Sequence, residues 1–441
     1  MIMSPRSLGS FDTVYSACSI ECDPLPNAND DVDQRLNQDQ QQLDHVTNRT
    51  CVIGTYQIFK RGRMATPPGV VEDPKEGTEP SNEEMTDDQH STAIERKGRL
   101  YVTNLSNNKH IGSTDESKID IDITQQIDTD AILDMKWSSQ LINGQKQLAV
   151  ADSKGKITMY SVDDKQHLSV SQVVQCADKD TLCLSLDWSN RGLDKQSSSI
   201  VVSLSDGSIC TIESNSINSK SDYQVTKRWK AHDYEPWIAA YDCWDSSHNT
   251  IWTGGDDLKV KRWDQRMITS NLSTNEKDQN QIQLNVEPTL INKKFEGGVT
   301  TIQSHALKQH ILAVGSYDAQ LRIFDTRYMK DAVSTFDAGG GIWRLKWHPT
   351  QSERILIASM HDGFKVVDID SLNNSTLNLS VLESKSNSQE RLNDISLVAR
   401  FDQHESLAYG VDWSWGLQDV QKRDVITSCS FYDHLMHVWS V

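Results

Sequence analysis

The chain contains no apolar run approaching 18 residues, so no segment is a candidate for a membrane-spanning helix. Its first residues, MIMSPRSLGSFD, lack the basic start and apolar stretch of a secretory signal. No two of its 8 cysteines form a CxxC, and six fall inside apolar, strand-like runs. That pattern suits reduced, buried thiols better than disulfides or a zinc site, and a cytoplasmic location is expected. Clusters of Lys and Arg are missing too. With a formal net charge of -18, the chain is not expected to bind nucleic acid, whose phosphates need such clusters. The acidic surplus favours solubility and a basic partner.

Catalytic signatures of the common kinds are also absent. There is no GxSxG nucleophile elbow, no HExxH, no P-loop and no dinucleotide fingerprint. Long apolar patterns at the helical period do not occur, whereas strict alternation does, which predicts an all-β fold.

What is present is repetition. VVSLSDGSICTIE, IWTGGDDLKVKRWD, ILAVGSYDAQLRIFD and VITSCSFYDHLMHVWS each hold two short strands around a turn, with Asp206, Asp257, Asp318 and Asp433 in the turns. An earlier copy, LAVADSKGKITMYS, places Lys154 there. In each copy the residue closing the following strand falls seven positions later. Ahead of each turn lies another strand that ends near Trp: ILDMKW, CLSLDWS, WIAAYDCW, IWRLKWHP and YGVDWSW, with VTTIQSH as the variant. The unit recurs every 43 to 72 residues. A strand, loop, strand, turn, strand unit at that spacing, closing on Trp-Asp, describes the blade of a β-propeller.

Six copies are clear, and TVYSACSI, CVIGTYQIF and GRLYVTNL supply three strands of a seventh. The expectation is one seven-bladed WD40 propeller over residues 11–441. The polar stretches 27–48, 61–97, 270–292 and 371–393 are read as disordered insertions, since they have too little apolar surface to fold alone.

AHDYEPW, IWTGGDD and KRWD carry the fullest mark of a WD repeat, with His232, Thr253, Asp257 and Trp263 as a hydrogen-bonded structural tetrad. IASMHDGFKVVD differs. Counting back seven from Asp368 lands on His361, where most sister blades have Asp; the plain alternative is a drifted turn built on Asp362-Gly363. Imidazole is the side chain whose charge ordinarily changes near neutral pH. His434 and His437, an odd offset apart on a strand, point to opposite faces, and no metal site is expected. Gly339 to Gly341 let the chain turn into IWRLKW.

In a propeller of this type, the turns between second and third strands share one face with the loops leading into the innermost strands. That face is expected to gather His361, Tyr432 and Asp433 from turns, and Trp237, Trp343 and Tyr409 from lead-in loops, with Arg344 next to Trp343. Aromatics beside ionisable groups at a central mouth make a plausible binding site.

The phrases EPWIAAYDCW, IWTGGDDLKVKRWD, GGVTTIQSH, LAVGSYDAQLRIFDTR, GGGIWRLKWHP, MHDGFKVVD, YGVDWSW and SCSFYDHLMHVW, in this order, resemble the WD-repeat diphthine methyl ester hydrolase family, whose members carry the name diphthine methyltransferase. The resemblance runs from about Ile132 to Trp439 and more weakly from Asp12. It implies a carboxylesterase acting on a protein. Its substrate is the modified histidine of translation elongation factor 2, whose trimethylated side chain is methyl-esterified and is hydrolysed to diphthine. The resemblance implies no nucleotide, metal or redox cofactor and no membrane, and a monomer is expected.

The family does not assign the site; position and chemistry suggest it. His361 is taken as general base, oriented by Asp433 or Asp362, with Tyr432 or the amides of Gly339 to Gly341 receiving the oxyanion. Trp237, Trp343 and Tyr409 would hold a quaternary ammonium by cation-π contact, and Arg344 is placed with them in substrate binding. A serine nucleophile, Ser359 or Ser430, stays open. So does a scaffold propeller without catalysis, or an adaptor docking through the acidic 66–90 stretch.

Overall fold

The structure, a computed structural model, describes residues 2–25, 48–60, 94–107, 118–163, 167–191, 198–215, 222–269, 286–373 and 394–441. Among them, the alternating segments pair into seven antiparallel sheets. The first consists of Ala17–Cys22, Asn48–Thr55, Ile94–Ser106 and Asp120–Asp130, from the innermost strand outward, with the short strand Gln57–Lys60 as a fifth member paired to Ile94–Ser106. The innermost strands of blades 2 to 7 are Ile132–Trp137, Cys183–Trp188, Ile238–Tyr241, Val299–Ser304, Ile342–Trp347 and Ala408–Gln418. Each neighbours the next, and the last neighbours Ala17–Cys22, so the seven form a ring. The architecture expected from the repeats, a seven-bladed all-β propeller, is the one observed.

The ring closes on its own first strand. Gly9–Asp12 pairs antiparallel with Leu435–Ser440 as the fourth strand of blade 7, in the register Gly9 to Val438 through Asp12 to Leu435. The short turn at Val14, with φ of 65°, then carries the chain to blade 1. That turn is why TVYSACSI enters its sheet only at Ala17.

Three further local readings shift. CVIGTYQIF divides at Tyr56: Asn48–Thr55 stays in the sheet, and Gln57–Lys60 forms a ladder with residues 94–97. Residues 94–97, counted above with an insertion, are therefore strand. Leu290–Asn292 likewise completes blade 4, and Asp370–Asn373 forms a four-residue helix after the third strand of blade 6, whose fourth strand is Ile395–Phe401. The remainder of the four polar stretches, apart from residues 48, 286–289 and a few such flanks, lies outside the described residues.

The core is a ring of contacts between sheets. Seven apolar clusters each draw on two neighbouring blades, from Leu148 against Val52 to Ile426 against Leu356. The tryptophans that end the inner strands explain themselves here. Trp137, Trp188, Trp347 and Trp413 each donate from the indole Nε1 to a backbone carbonyl of the preceding blade, at 2.9 to 3.3 Å. Aspartates act in the opposite direction. Asp134, Asp187 and Asp412 accept the backbone amides of Leu186, Tyr241 and Cys22 in the following blade, at 2.9 to 3.1 Å. Each such bond contributes about 1 kcal/mol, and more where a carboxylate accepts.

The centre of the ring carries buried charge. Glu21 of blade 1 accepts from Lys136 of blade 2 at 2.9 Å and from Lys346 of blade 6 at 2.6 Å. Asp134 pairs with Lys136 at 3.0 Å and with Arg344, across the axis, at 3.3 Å. Burial would raise the carboxyls of Glu21 and Asp134, but the facing cations outweigh it and hold both below the usual range. Asp412 goes the other way, since burial dominates and brings its carboxyl to about 6.

Candidate active site on the face of the lead-in loops

Seven backbone hydrogen bonds build this face. In every blade, the turn after the second strand donates an amide to the loop ahead of the first: Tyr56 to Ser16, Ser153 to Ala131, Ser205 to Leu182, Asp256 to Glu235, Tyr317 to Gly298, Met360 to Gly341 and Phe431 to Leu407, all at 2.8 to 3.2 Å. Turns and lead-in loops therefore share one rim. The glycines are steric requirements of it: a Cβ on Gly341 would sit 2.9 Å from the Met360 Cε and 3.2 Å from the Tyr317 ring, and one on Gly340 would sit 3.2 Å from the His361 amide.

Across the rim runs an arc of aromatic rings. Trp237 meets Trp343 edge to face at a centroid distance of 5.7 Å, Trp343 meets Tyr409 at 4.8 Å, and Tyr409 meets Phe431 at 5.0 Å. Tyr317 adds a flank at 6.3 Å from Trp343. Three of these rings were expected from the sequence, on lead-in loops. Trp343 and Tyr409 stand instead at the second position of the inner strands Ile342–Trp347 and Ala408–Gln418, because pairing begins one residue ahead of each. Tyr317 and Phe431 were not expected. Tyr317 precedes Asp318 as Tyr432 precedes Asp433, so aligning the turns would have exposed it. Burial raises the Tyr317 phenol, and it raises that of Tyr409 to about 12, so both stay neutral donors at physiological pH.

Arg344 lies beneath the arc. It is 7% exposed, and its guanidinium sits 5.3 Å from the Trp343 ring centroid. Asp256, in the turn of blade 4, lies on the Trp237 side; burial raises its carboxyl, and the neighbouring indole works the other way.

His361 is exposed at a corner of the turn closed by the Asp362 amide on the Ser359 carbonyl, at 2.8 Å. Pairing of Arg354 with Asp368 and of Ile311 with Asp325 gives His361 and Asp318 the same register. Its ring makes no hydrogen bond or ring contact among the described residues. The two carboxylates expected to orient it are engaged elsewhere. Asp362 is held by Lys365 at 2.8 Å and Arg400 at 2.7 Å. Asp433 belongs to a tetrad of its own: His404 Nδ1 lies 3.3 Å from Asp433, His404 Nε2 lies 2.9 Å from the Ser428 hydroxyl, and Trp439 Nε1 donates to that hydroxyl at 3.2 Å.

This repeats the arrangement in blade 4. There, His232 joins Asp257 at 2.8 Å and Thr253 at 2.7 Å, and Trp263 donates to Thr253 at 2.8 Å. The tetrad of blade 7 escaped the sequence reading because His404 stands 29 residues before Asp433, whereas His232 stands 25 before Asp257.

Tyr432 is 68% exposed and touches the arc through Phe431, at 4.9 Å. Gly339 donates its amide to Asp337 at 2.8 Å, so of the three glycines only Gly340 and Gly341 keep amides without a partner among the described residues. Ser359 is fully buried and gives its hydroxyl to the carbonyls of Ala338 and Gly340, at 2.8 and 3.0 Å. Ser430 is fully buried as well. Neither is accessible as a nucleophile. His437 sits in the last strand with Nδ1 on the Ser7 hydroxyl at 2.8 Å, while His434 occupies the turn. A separate cavity of about 380 Å³, between Lys293, Arg322 and Lys330, lies on the flank of blades 4 and 5, away from this face.

No family profile matches the chain. Individual relatives do. It is 37% identical over 313 residues, 70% of this chain and 76% of the other, to a diphthine methyltransferase homolog of Dictyostelium discoideum. It is 30% identical over 316 residues, 70% and 78% respectively, to a diphthine methyltransferase of Schizosaccharomyces pombe. With the human diphthine methyltransferase it shares 31% identity over 325 residues, 73% of this chain but 62% of the human protein. Identity at this level over most of the propeller makes the chain a member of the diphthine methyltransferase family.

Proposed function

We propose that this propeller is an enzyme of diphthamide biosynthesis that hydrolyses the methyl ester of diphthine methyl ester on translation elongation factor 2. It acts as a cytoplasmic monomer without a cofactor. The observation that carries the reading is the arc of Trp237, Trp343 and Tyr409. Electron-rich ring faces around a mouth suit a trimethylammonium group, and family membership names a substrate that bears one.

Water attack on the ester needs a base, an oxyanion donor and a held substrate. His361 takes a proton from water as the oxygen bonds to the ester carbonyl carbon. The carbonyl π electrons move onto oxygen, where the Tyr432 hydroxyl or the amides of Gly340 and Gly341 receive the charge. Collapse breaks the bond to the methoxy oxygen, which leaves as methanol with the proton returned by His361, and the carboxylate remains. Asp433 has no part in this, since His404 holds it. The inaccessibility of Ser359 and Ser430 favours direct attack by water over an acyl-serine.

The test is a mass measurement. Purified methyl-esterified elongation factor 2 incubated with the chain should lose one methylene equivalent. An unchanged mass would mark a propeller that binds without catalysis, and a gain in the presence of a methyl donor would mark a methyl transfer.

A further inference from the structure

The polarity of the aromatic face goes further than a cage for a cation. The face carries opposite charges at two separate places: Asp256 beside Trp237, at the blade 4 end of the arc, and Arg344 under Trp343, at its middle on blade 6. Arg344 is held but little used. Among the described residues, its guanidinium makes one hydrogen bond, to Asp134 at 3.3 Å. Asp134 is already matched by Lys136 at 3.0 Å and by the Leu186 amide at 3.1 Å. A guanidinium has five N–H donors in a planar fork suited to two carboxyl oxygens. The residue before it adds a second donor, because the indole Nε1 of Trp343 is buried without a hydrogen-bond partner among the described residues.

A buried cation beside a cation-binding cage is unfavourable for a ligand that brings positive charge alone. It becomes favourable when the ligand brings its own carboxyl oxygens. We propose that this face is a dipolar site for a trimethylammonium carboxyl compound: the ammonium rests on Trp237 and Trp343 on the Asp256 side, and Arg344, under Trp343, takes the carboxyl oxygens. The proposal rests on the functional reading above and deepens it. Arg344 meets the ester carbonyl in the substrate and the free carboxylate in the product, so it fixes which end of the modified side chain faces the base.

Three small probes test the assignment on the full chain by titration of tryptophan fluorescence or by calorimetry: trimethylglycine, its methyl ester, and choline. Trimethylglycine should bind about tenfold more tightly than choline, the worth of one charge-assisted carboxylate contact, with the methyl ester between them. Arg344→Met should erase the preference by weakening trimethylglycine while leaving choline equal or tighter. Trp343→Leu should weaken all three.

Equal binding of trimethylglycine and choline to the wild type overturns the proposal, as does a preference that survives Arg344→Met or the failure of every probe to bind. The wild-type comparison needs no variant, so it decides even if Arg344→Met does not fold. It also fails independently of the esterase reading. A chain that prefers trimethylglycine but leaves the elongation factor unchanged in mass keeps this site and loses the reaction; one that removes the methylene without the preference keeps the reaction and loses Arg344.

Discussion

Asp433 is bonded to His404, at 3.3 Å, and not to His361. One oxygen also accepts the Glu405 amide at 3.1 Å, and the other accepts the Leu435 amide at 2.9 Å. The residue is a fastener of blade 7, as Asp257 is of blade 4. Burial alone would raise both carboxyls, but hydrogen bonds from His232 and His404 outweigh it and hold each at about 2. An unfolded aspartate titrates near ~3.9. The stabilisation is therefore fully present above about pH 4 and disappears as pH falls toward about 2. Melting temperature measured from pH 5 down to pH 2 should fall steeply through that window, and less steeply in Asp257→Asn and Asp433→Asn. At neutral pH Asp433→Ala should cost about 2–4 kcal/mol of stability, by loss of a buried, bonded charge. A slope unchanged in both asparagine variants would remove the tetrads from the acid response.

His361 has the opposite profile. Exposed and without side-chain partners among the described residues, it contributes nothing the fold would miss. His361→Ala should melt as the wild type does and slow ester hydrolysis by about 10²–10⁴-fold. Hydrolysis at the wild-type rate by a folded His361→Ala chain would exclude it as the base.

Trp343 is the ring shared by the whole arc, touching Trp237, Tyr317 and Tyr409. Trp343→Leu should raise the apparent KM about 5–30-fold, equivalent to one or two cation-π contacts, with a smaller change in kcat. An unaltered KM would mean that the ammonium binds elsewhere.

Leu8 packs at the seam where the first strand joins the last blade, and its amide donates to the Val438 carbonyl at 2.6 Å. Leu8→Ala should cost about 2–3 kcal/mol, read from the denaturant midpoint at unchanged m-value. A surface leucine outside the ring closure, such as Leu141 at 55% exposure, should cost far less when treated the same way.

Glu21 neutralises two lysines from different blades in the middle of the ring. Glu21→Leu would remove the carboxylate that the two lysines share, leaving Lys136 to Asp134 and Lys346 to Asp412 in a buried site, and should destabilise by about 3–5 kcal/mol. A loss below 1 kcal/mol would show that water reaches them.

The legible part of this molecule was the part written in period. Alternation, the Trp-Asp strand ends and the seven-residue count from turn to strand end located the blades, and they put Trp237, Trp343, Tyr409 and His361 on one rim. Partnership was not legible. Nothing local distinguishes Asp433, tied to a histidine 29 residues earlier, from an aspartate free to serve His361. Arg344 could be placed beside Trp343 from the sequence, but not its partner: only the ring brings Asp134, 210 positions away, across the axis. Gly9–Asp12 has too few residues to announce a strand, and it acquires that identity from Leu435–Ser440.

That last pairing also sets an order of events. The strand that completes blade 7 is made first, and its partner is made last, with Ser7 and His437 separated by 430 positions. On a ribosome, the N-terminal edge must wait unpaired while six blades assemble, and the entropy of closing so long a loop comes due only when the final strand emerges. Closure of blade 7 therefore comes late for this chain, and the exposed edges of that interval are where a chaperone would find it.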